Sequence, residues 1–182
     1  MRREPLIWTS ELAYGVGLFV ADGHLSIDGR HLDFTSKDLQ LVETFRGIFG
    51  LSCKITKKTR SHEQEKRYFH VGFSDVRLYR FLLELNIPQQ KSLHIRELAL
   101  PKRHFFDFLR GLVDGDGNIC IYRHPESERE QFKIRIFSAS HQFILWVKKK
   151  IAEADIGGGI IISGKGVWVL AYSKRYALPL LK

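Results

Sequence analysis

A seven-residue pattern that occurs twice constrains this chain more than any other feature. Gly17-Leu18-Phe19-Val20-Ala21-Asp22-Gly23 and Gly111-Leu112-Val113-Asp114-Gly115-Asp116-Gly117 carry Gly, Leu, Asp and Gly at the same four places. Each copy closes an apolar stretch that reads as helix, with small residues four apart: Ala13, Gly17 and Ala21 in the first, Gly111 and Gly115 in the second. Residues four apart share one helix face. A stripe of small side chains there lets two helices approach at the short end of the usual packing range of about 8–10 Å, so the two copies are expected to pack on each other. Gly23 and Gly117 then follow as terminators that accept left-handed backbone angles.

The acidic residue before each terminator is electrostatically out of place. Asp22 and Asp116 fall in the last helical turn, where the macrodipole is negative and unpaired carbonyls point outward. Two such carboxylates brought together repel each other, unless the site holds cations. Carboxylate and carbonyl oxygens are the preferred ligands of Mg²⁺ and Ca²⁺. The alternative left open at this point is that Asp-Gly merely makes a turn after each helix.

Composition narrows the class. The 182 residues carry 29 Lys and Arg against 20 Asp and Glu, a net charge of +9, and are 44% hydrophobic. Such a chain can bury a core in one or two compact lobes, and its surplus charge favours a polyanion, nucleic acid before membrane. The apolar run Leu12–Ala21 is too short to span a bilayer. Arg2-Arg3 ahead of it is followed by Glu4 and Glu11, the wrong flanks for a signal peptide. Cys53 and Cys120 lack metal-ligand spacing and fit reduced thiols in a reducing compartment. The expected location is therefore intracellular, the cytoplasm of a prokaryote or an organelle, and not secreted.

The repeat extends beyond the two motifs. His24–Ile27, an Asp28-Gly29 turn and Arg30–Thr35 read as a tight hairpin. Asp38 then caps a helix with Leu41, Val42 and Phe45 on one face, closing near Gly50. Strands at Cys53–Thr59 and Arg67–Phe73 precede a helix from about Val76 to Leu85. The second half replays this with a strand at Asn118–Arg123, a loop at His124–Glu130, a strand at Gln131–Ser138 and a Ser140-capped helix carrying Phe143 and Val147. Strands at Gly159–Ser163 and Val167–Tyr172 and the start of a final helix follow. The fold class is α+β: αββαββα twice, in pseudo-twofold lobes at 1–96 and 105–182 joined by 97–104, with the motif helices at the lobe interface.

The motifs resemble those of the LAGLIDADG homing endonucleases in their single-chain form. The second copy, extended to Leu109-Arg110, departs from the family's name by Arg110 and by conservative swaps; the first has Val20 where the family usually places its first acidic residue. The resemblance implies that Asp22 and Asp116 are catalytic carboxylates that bind metal with help from the carbonyls of Ala21 and Gly115. Mg²⁺ is the implied ion, with Ca²⁺ or Mn²⁺ able to substitute, and the implied reaction is hydrolysis of both strands of double-stranded DNA by a monomer. Intron mobility is the biological setting this implies. The family also places a lysine near each active site. In the first lobe that position falls on Lys91; in the second the equivalent would fall beyond Lys182.

The strand pattern suggests where DNA lies. Leu32 and Phe34 alternate with His31, Asp33 and Thr35. Ile55 alternates with Lys54, Thr56 and Lys58, and Phe69, Val71 and Phe73 alternate with Tyr68, His70 and Gly72. In the second lobe Ile134 and Ile136 alternate with Lys133 and Arg135. One sheet face packs on helices and the other is wet; together the wet faces are expected to form a saddle for DNA. Arg30, His31, Asp33, Lys54, Lys58, Arg67, His70, Lys133 and Arg135 are the candidate contacts to bases or phosphates. Two readings from other classes stay open: a nucleic-acid-binding relative without cleavage, such as an RNA splicing maturase or DNA-binding regulator, and a protein in which the two Asp residues only cap helices.

Overall fold

A computed structural model describes residues 6–59, 67–123 and 130–181. Its elements run α1 (Ser10–Asp22), β1 (Gly23–Leu25), β2 (His31–Ser36), α2 (Leu39–Ile48), β3 (Thr56–Lys58), β4 (Tyr68–Ser74), α3 (Val76–Glu84) and α4 (Lys91–His94). They continue with α5 (Phe105–Asp116), β5 (Gly117–Arg123), β6 (Glu130–Ser138), α6 (His141–Ala152), β7 (Ile160–Ser163), β8 (Trp168–Ser173) and α7 (Lys174–Ala177). The αββαββα order occurs twice, and each copy builds a four-stranded antiparallel sheet, in the orders β1-β2-β4-β3 and β5-β6-β8-β7. The expected loop at His124–Glu130 lies, except for Glu130, outside the described residues. No described helix is long and apolar enough to cross a membrane.

The chain forms two compact units. Residues 1–91 and 98–115 make one, and residues 92–97 and 116–182 make the other. In the first, α1 is buried from Leu12 through Ala21 without a break. Such a helix has no solvent face, and it meets neighbours on all sides. On one side Gly15 abuts α2, where an added Cβ would sit 2.9 Å from Ile48 Cγ2 and from the Phe49 ring. On another it meets α5 at backbone distance. A Cβ on Gly17 would lie 2.1 Å from the Phe108 carbonyl oxygen, and one on Gly111 would lie 2.1 Å from the Tyr14 carbonyl oxygen. A third, on Gly115, would lie 2.3 Å from Ala21 Cβ. The small-residue stripes are therefore mutual contact surfaces, as the spacing predicts.

Two of the caps, Asp38 and Ser140, are the residues that the sequence marks for them. Asp38 accepts from Gln40 N at 2.8 Å, Ser140 accepts from Phe143 N at 3.3 Å, and Thr9 starts α1 by accepting from Leu12 N at 3.1 Å. Asp75 caps α3 from both Arg77 N and Leu78 N. The Asp28-Gly29 turn forms with Gly29 at φ +78, which only glycine takes without strain. Asp28 accepts from the amides of Arg30 and His31, and its carboxyl is drawn down to about 2 by the His31 side chain and these backbone donors.

Two kinds of local expectation fail. Neither Gly23 nor Gly117 takes left-handed angles; the Gly23 backbone is extended, at φ −84 and ψ 164. Its need for glycine is steric, because a Cβ there would stand 2.3 Å from the Phe19 ring. The strand expected over Cys53–Thr59 shortens to Thr56–Lys58. β3 pairs with the first residues of β4 alone, Thr56↔His70 to Lys58↔Tyr68, although β4 runs on to Ser74.

In the first core the Phe34 and Phe45 rings stack at 4.2 Å and 9°, with Val42, Val71, Leu78 and Leu82 fully or nearly fully buried around them. In the second unit Phe143, Ile144, Val147 and Ile151 of α6 cover Ile134, Ile136, Leu170 and Tyr172 of the sheet. Ser140 ties this helix to Ile95, its hydroxyl donating to the Ile95 carbonyl at 2.5 Å.

The glycine contacts make a sharp comparison possible. Gly17→Ala or Gly111→Ala pushes a methyl into a backbone carbonyl that cannot rotate away, and is expected to lower unfolding free energy by about 3 kcal/mol. Gly47→Ala, in α2 with nothing within 4 Å of an added Cβ, is expected to be neutral or stabilising by about 0.5 kcal/mol. Urea unfolding of the three variants checks this; equal stability of Gly17→Ala and Gly47→Ala would refute the close helix contact.

Candidate nuclease site and nucleic-acid interface

The C-terminal end of α1 gathers oxygen atoms. Asp22 ends the helix, half-buried, and its Oδ2 lies 3.9 Å from where a Cβ on Gly115 would stand. The last carbonyls of the helix already face a cation. Lys91, the first residue of α4, donates from Nζ to the Val20 carbonyl at 2.6 Å and the Ala21 carbonyl at 2.8 Å. An ammonium at a helix C-terminus is stabilised by the macrodipole and satisfies two orphan carbonyls. The segment that carries it is tied back to the first unit, with Ile87 N donating to Leu82 O and Gln89 to the Tyr79 hydroxyl at 2.8 Å. Lys91, Asp22, Ala21 and Gly115 thus come together in one unit. Asp116 is the last residue of α5 and the first of the second unit's long segment, and is exposed.

A second polar cluster, which the sequence did not suggest, brackets the helix contact. The Tyr14 hydroxyl donates to Asp114 Oδ2 at 2.8 Å, and the Arg110 guanidinium lies 4.6 Å from the Tyr14 ring centroid. Burial first, and then the Asp114 carboxylate, push the Tyr14 phenol up to about 12. Arg110 departs from the usual motif letters, yet its position four residues before Asp114 puts both on one face of α5. That spacing is the signal by which the cluster could have been found. The first motif has Val20 where the second has Asp114, so only one half of the pair of helices carries this clamp.

The wet face of the first sheet is where alternation places it. Leu32 and Phe34 are buried, while His31 is exposed and Asp33 and Thr35 are half-buried. The register sets Thr35 opposite His70 and His70 opposite Thr56. His70 bridges Asp33 through Nε2 and the Thr56 hydroxyl at 3.3 Å through Nδ1. Lys58 shares this face. Tyr68 also shares it by register, yet is only 6% exposed, with Lys37 Nζ 5.3 Å from its ring centroid. Arg30 lies in the hairpin turn, 3.8 Å from Asp28, and Lys54 and Arg67 lie just before β3 and β4; all three are exposed. In the second sheet Lys133 pairs with Ser173 and Cys120, and Arg135 pairs with Ala171 and Asn118. Both are half-buried on the face opposite Ile134 and Ile136.

A family model described as a LAGLIDADG-like domain matches residues 10–90. The chain has the LAGLIDADG fold in its single-chain, two-lobe form, as solved structures show over nearly its full length. The N-terminal LAGLIDADG domain of DUF199/WhiA aligns with a TM-score of 0.63 and 17% identity, covering 96% of this chain and 81% of that one. Full-length DUF199/WhiA from Thermatoga maritima gives 0.66 and 16%, covering 97% of this chain and 56% of its own. I-DmoI in complex with DNA and Mn gives 0.61 and 17%, covering 94% of each. No curated protein matches the sequence. Homing endonucleases and WhiA share the LAGLIDADG fold, so the fold alone does not separate cutting from binding.

The end of α1 offers a carboxylate and a backbone carbonyl, the donor types Mg²⁺ and Ca²⁺ take, and the carbonyl accepts from the Lys91 ammonium. Thiolate and imidazole, which suit softer metals, are not part of it. Among the described residues no three His, Cys, Asp or Glu side chains cluster to hold an ion.

The Tyr14 clamp has a pH signature. A phenol that titrates near 12 in the fold and near 10 when unfolded contributes stability that is complete below pH 10 and is lost as pH rises from about 10 to 12. Tyr172 is likewise pushed up to about 12 by burial, so the difference between wild type and Tyr14→Phe isolates Tyr14. At neutral pH the variant is expected to lose about 1 kcal/mol, because Asp114 is exposed and regains water. The gap should change between pH 10 and 12. A gap that stays constant across that window would show that Tyr14 titrates as a free phenol.

Proposed function

We propose that the chain is a site-specific endonuclease that hydrolyses both strands of double-stranded DNA with divalent cations. The observation that carries the reading is the oxygen-lined end of α1, where Asp22 and the Ala21 carbonyl stand beside a bound ammonium, in a motif that recurs with its Asp retained. Asp22 and Ala21 in the first motif, and Asp116 and Gly115 in the second, are the residues that hold Mg²⁺, for which Mn²⁺ or Ca²⁺ substitute. I-DmoI, of the same fold, has been solved with DNA and Mn and with DNA and Ca. When bound, such an ion supplies an acidified water and neutralises charge on the leaving oxygen.

The chain's own residues do the rest. Each carboxylate serves one scissile phosphate, so one chain carries both and a monomer suffices. Lys91 places a fixed positive charge beside the first site, where it stabilises the developing negative charge on phosphorus-bound oxygens. Arg30, Lys54, Lys58, Arg67, Lys133 and Arg135 bind the duplex through phosphates and base edges, with His31, Asp33 and His70 adding polar groups on the wet face. The enzyme works inside the cell. A second reading, a nucleic-acid-binding protein that does not cut, keeps the sheet faces and drops the chemistry; Val20 in the first motif favours it.

Incubation of a duplex library with the protein, with and without Mg²⁺, tests the reading. Asp22→Asn and Asp116→Asn are expected to reduce cleavage of the preferred duplex to background while leaving affinity within a few fold. Cleavage at the wild-type rate by either variant would remove that residue from the site. Specific binding without any nicking by the wild-type protein would establish the second reading instead.

Lys91→Met is expected to slow cutting of one strand by about 10²-fold. A time course on duplex labelled on each strand separates this from a uniform loss. Equal, fast cutting of both strands by the variant would show that the Lys91 charge takes no part in the reaction.

A further inference from the structure

The wet faces of the two sheets, equivalent by topology, have opposite character. Gly23 pairs with Phe34 as Gly117 pairs with Ile136, which fixes the correspondence rung by rung. The rung Thr35, His70 and Thr56 on the first sheet answers to Phe137, Val169 and Ile162 on the second. The next rung of the second sheet is Arg135, Ala171 and Ile160. Three hydrogen-bonding side chains are thus replaced by three apolar ones. Ile162 is 49% and Ile160 59% exposed; Phe137 and Val169 are half-buried. Among the described residues α6 packs on the opposite face, against Ile134, Ile136 and Leu170.

A row of exposed apolar side chains beside Arg135 and Lys133 fits one kind of partner. The cations suit phosphates, and the chain as a whole carries a charge of +9. In the major groove of a duplex the thymine C5-methyl is the apolar group that a base edge presents. Strands about 4.8 Å apart make a three-strand rung about 10 Å wide, close to three base-pair steps at about 3.4 Å each. A second copy of this chain is the poorer match. The row is only one rung of three side chains with Ile160 beside it, far short of the roughly 800 Å² per partner of a stable interface, and its flanking cations would meet each other.

We propose that the wet face of the second sheet selects thymine. Phe137, Val169 and Ile162, with Ile160, contact the methyl groups of a short run of A·T pairs in the half-site bound by the second unit, while the first sheet reads its half-site by hydrogen bonds. The inference rests on the reading of the chain as a duplex-DNA-binding protein.

The preferred duplex is selected from a random library in Ca²⁺, which allows binding to be measured without relying on turnover. Each thymine is then replaced singly by uracil, which removes the methyl and leaves the pairing edge unchanged. Affinity is expected to fall about three- to fivefold at each of two or three adjacent positions in one half-site, and nowhere in the other. Ile162→Ala should abolish the thymine–uracil difference at one of those positions, read as the ratio of the variant's own affinities for the two duplexes. Tight binding with no such difference at any position overturns the proposal and leaves the endonuclease reading standing. Discrimination that survives in both Ile162→Ala and Ile160→Ala also overturns it, as does a dimer in solution that Ile162→Ala dissociates. Failure to bind any duplex overturns the functional reading, and this proposal with it.

Discussion

The backbone contact between α1 and α5 is the constraint on which the first unit depends. Gly17 and Gly111 leave room for a carbonyl oxygen of the opposite helix where any side chain would stand, and Gly115 leaves room for Ala21. At such separations dispersion acts between main chains, and the contact has no side-chain rotamers to freeze. The buried run from Leu12 to Ala21 is possible only because α1 has neighbours on every side, α5 among them. The Tyr14–Asp114 bond and the Arg110 guanidinium over the Tyr14 ring then fix the sliding of one helix along the other, a freedom that a smooth glycine interface would otherwise leave open.

Much of this was legible in the sequence, because it rests on local rules. The motif stripes, the Asp28-Gly29 turn, the Asp38 and Ser140 caps and the alternation of Leu32 and Phe34 each follow from residues a few positions apart. What the sequence concealed depends on packing that local rules do not encode. Asp-Gly usually signals a left-handed terminator; at Gly23 the backbone is extended, and the Phe19 ring, four residues back, occupies the place of a Cβ. Tyr68 alternates as a wet residue, but Lys37, distant in sequence, shields it. The strand expected at Cys53–Thr59 forms over only Thr56–Lys58, which pair with Tyr68–His70 of β4.

The candidate site divides in the same way. Asp22 and Asp116 stood out because a carboxylate at a helix C-terminus opposes the dipole, a conflict visible in one dimension. Lys91 could be placed only by resemblance, since nothing near Pro88-Gln89-Gln90-Lys91 announces a contact with residues of α1. Its Nζ reaches Val20 and Ala21 because α4 begins where α3 and its following turn return the chain. The difference between the wet faces was present in the letters as well, in Ile160, Ile162 and Val169 against Thr56 and His70. It acquired meaning only once the register put those letters on corresponding rungs.

The extended backbone of Gly23 has a mechanical consequence. Because it does not turn, α1 runs into β1 with no intervening residue, and α5 runs into β5 in the same way. Asp22 is therefore one peptide bond from the first residue of the first sheet, with no linker between them to lengthen or relax. Under the endonuclease reading proposed above, that joint acts as a ruler within the first unit: the distance along a duplex between the bases the sheet touches and the phosphate the helix end faces is set by covalent geometry, and only an insertion at that junction would change it.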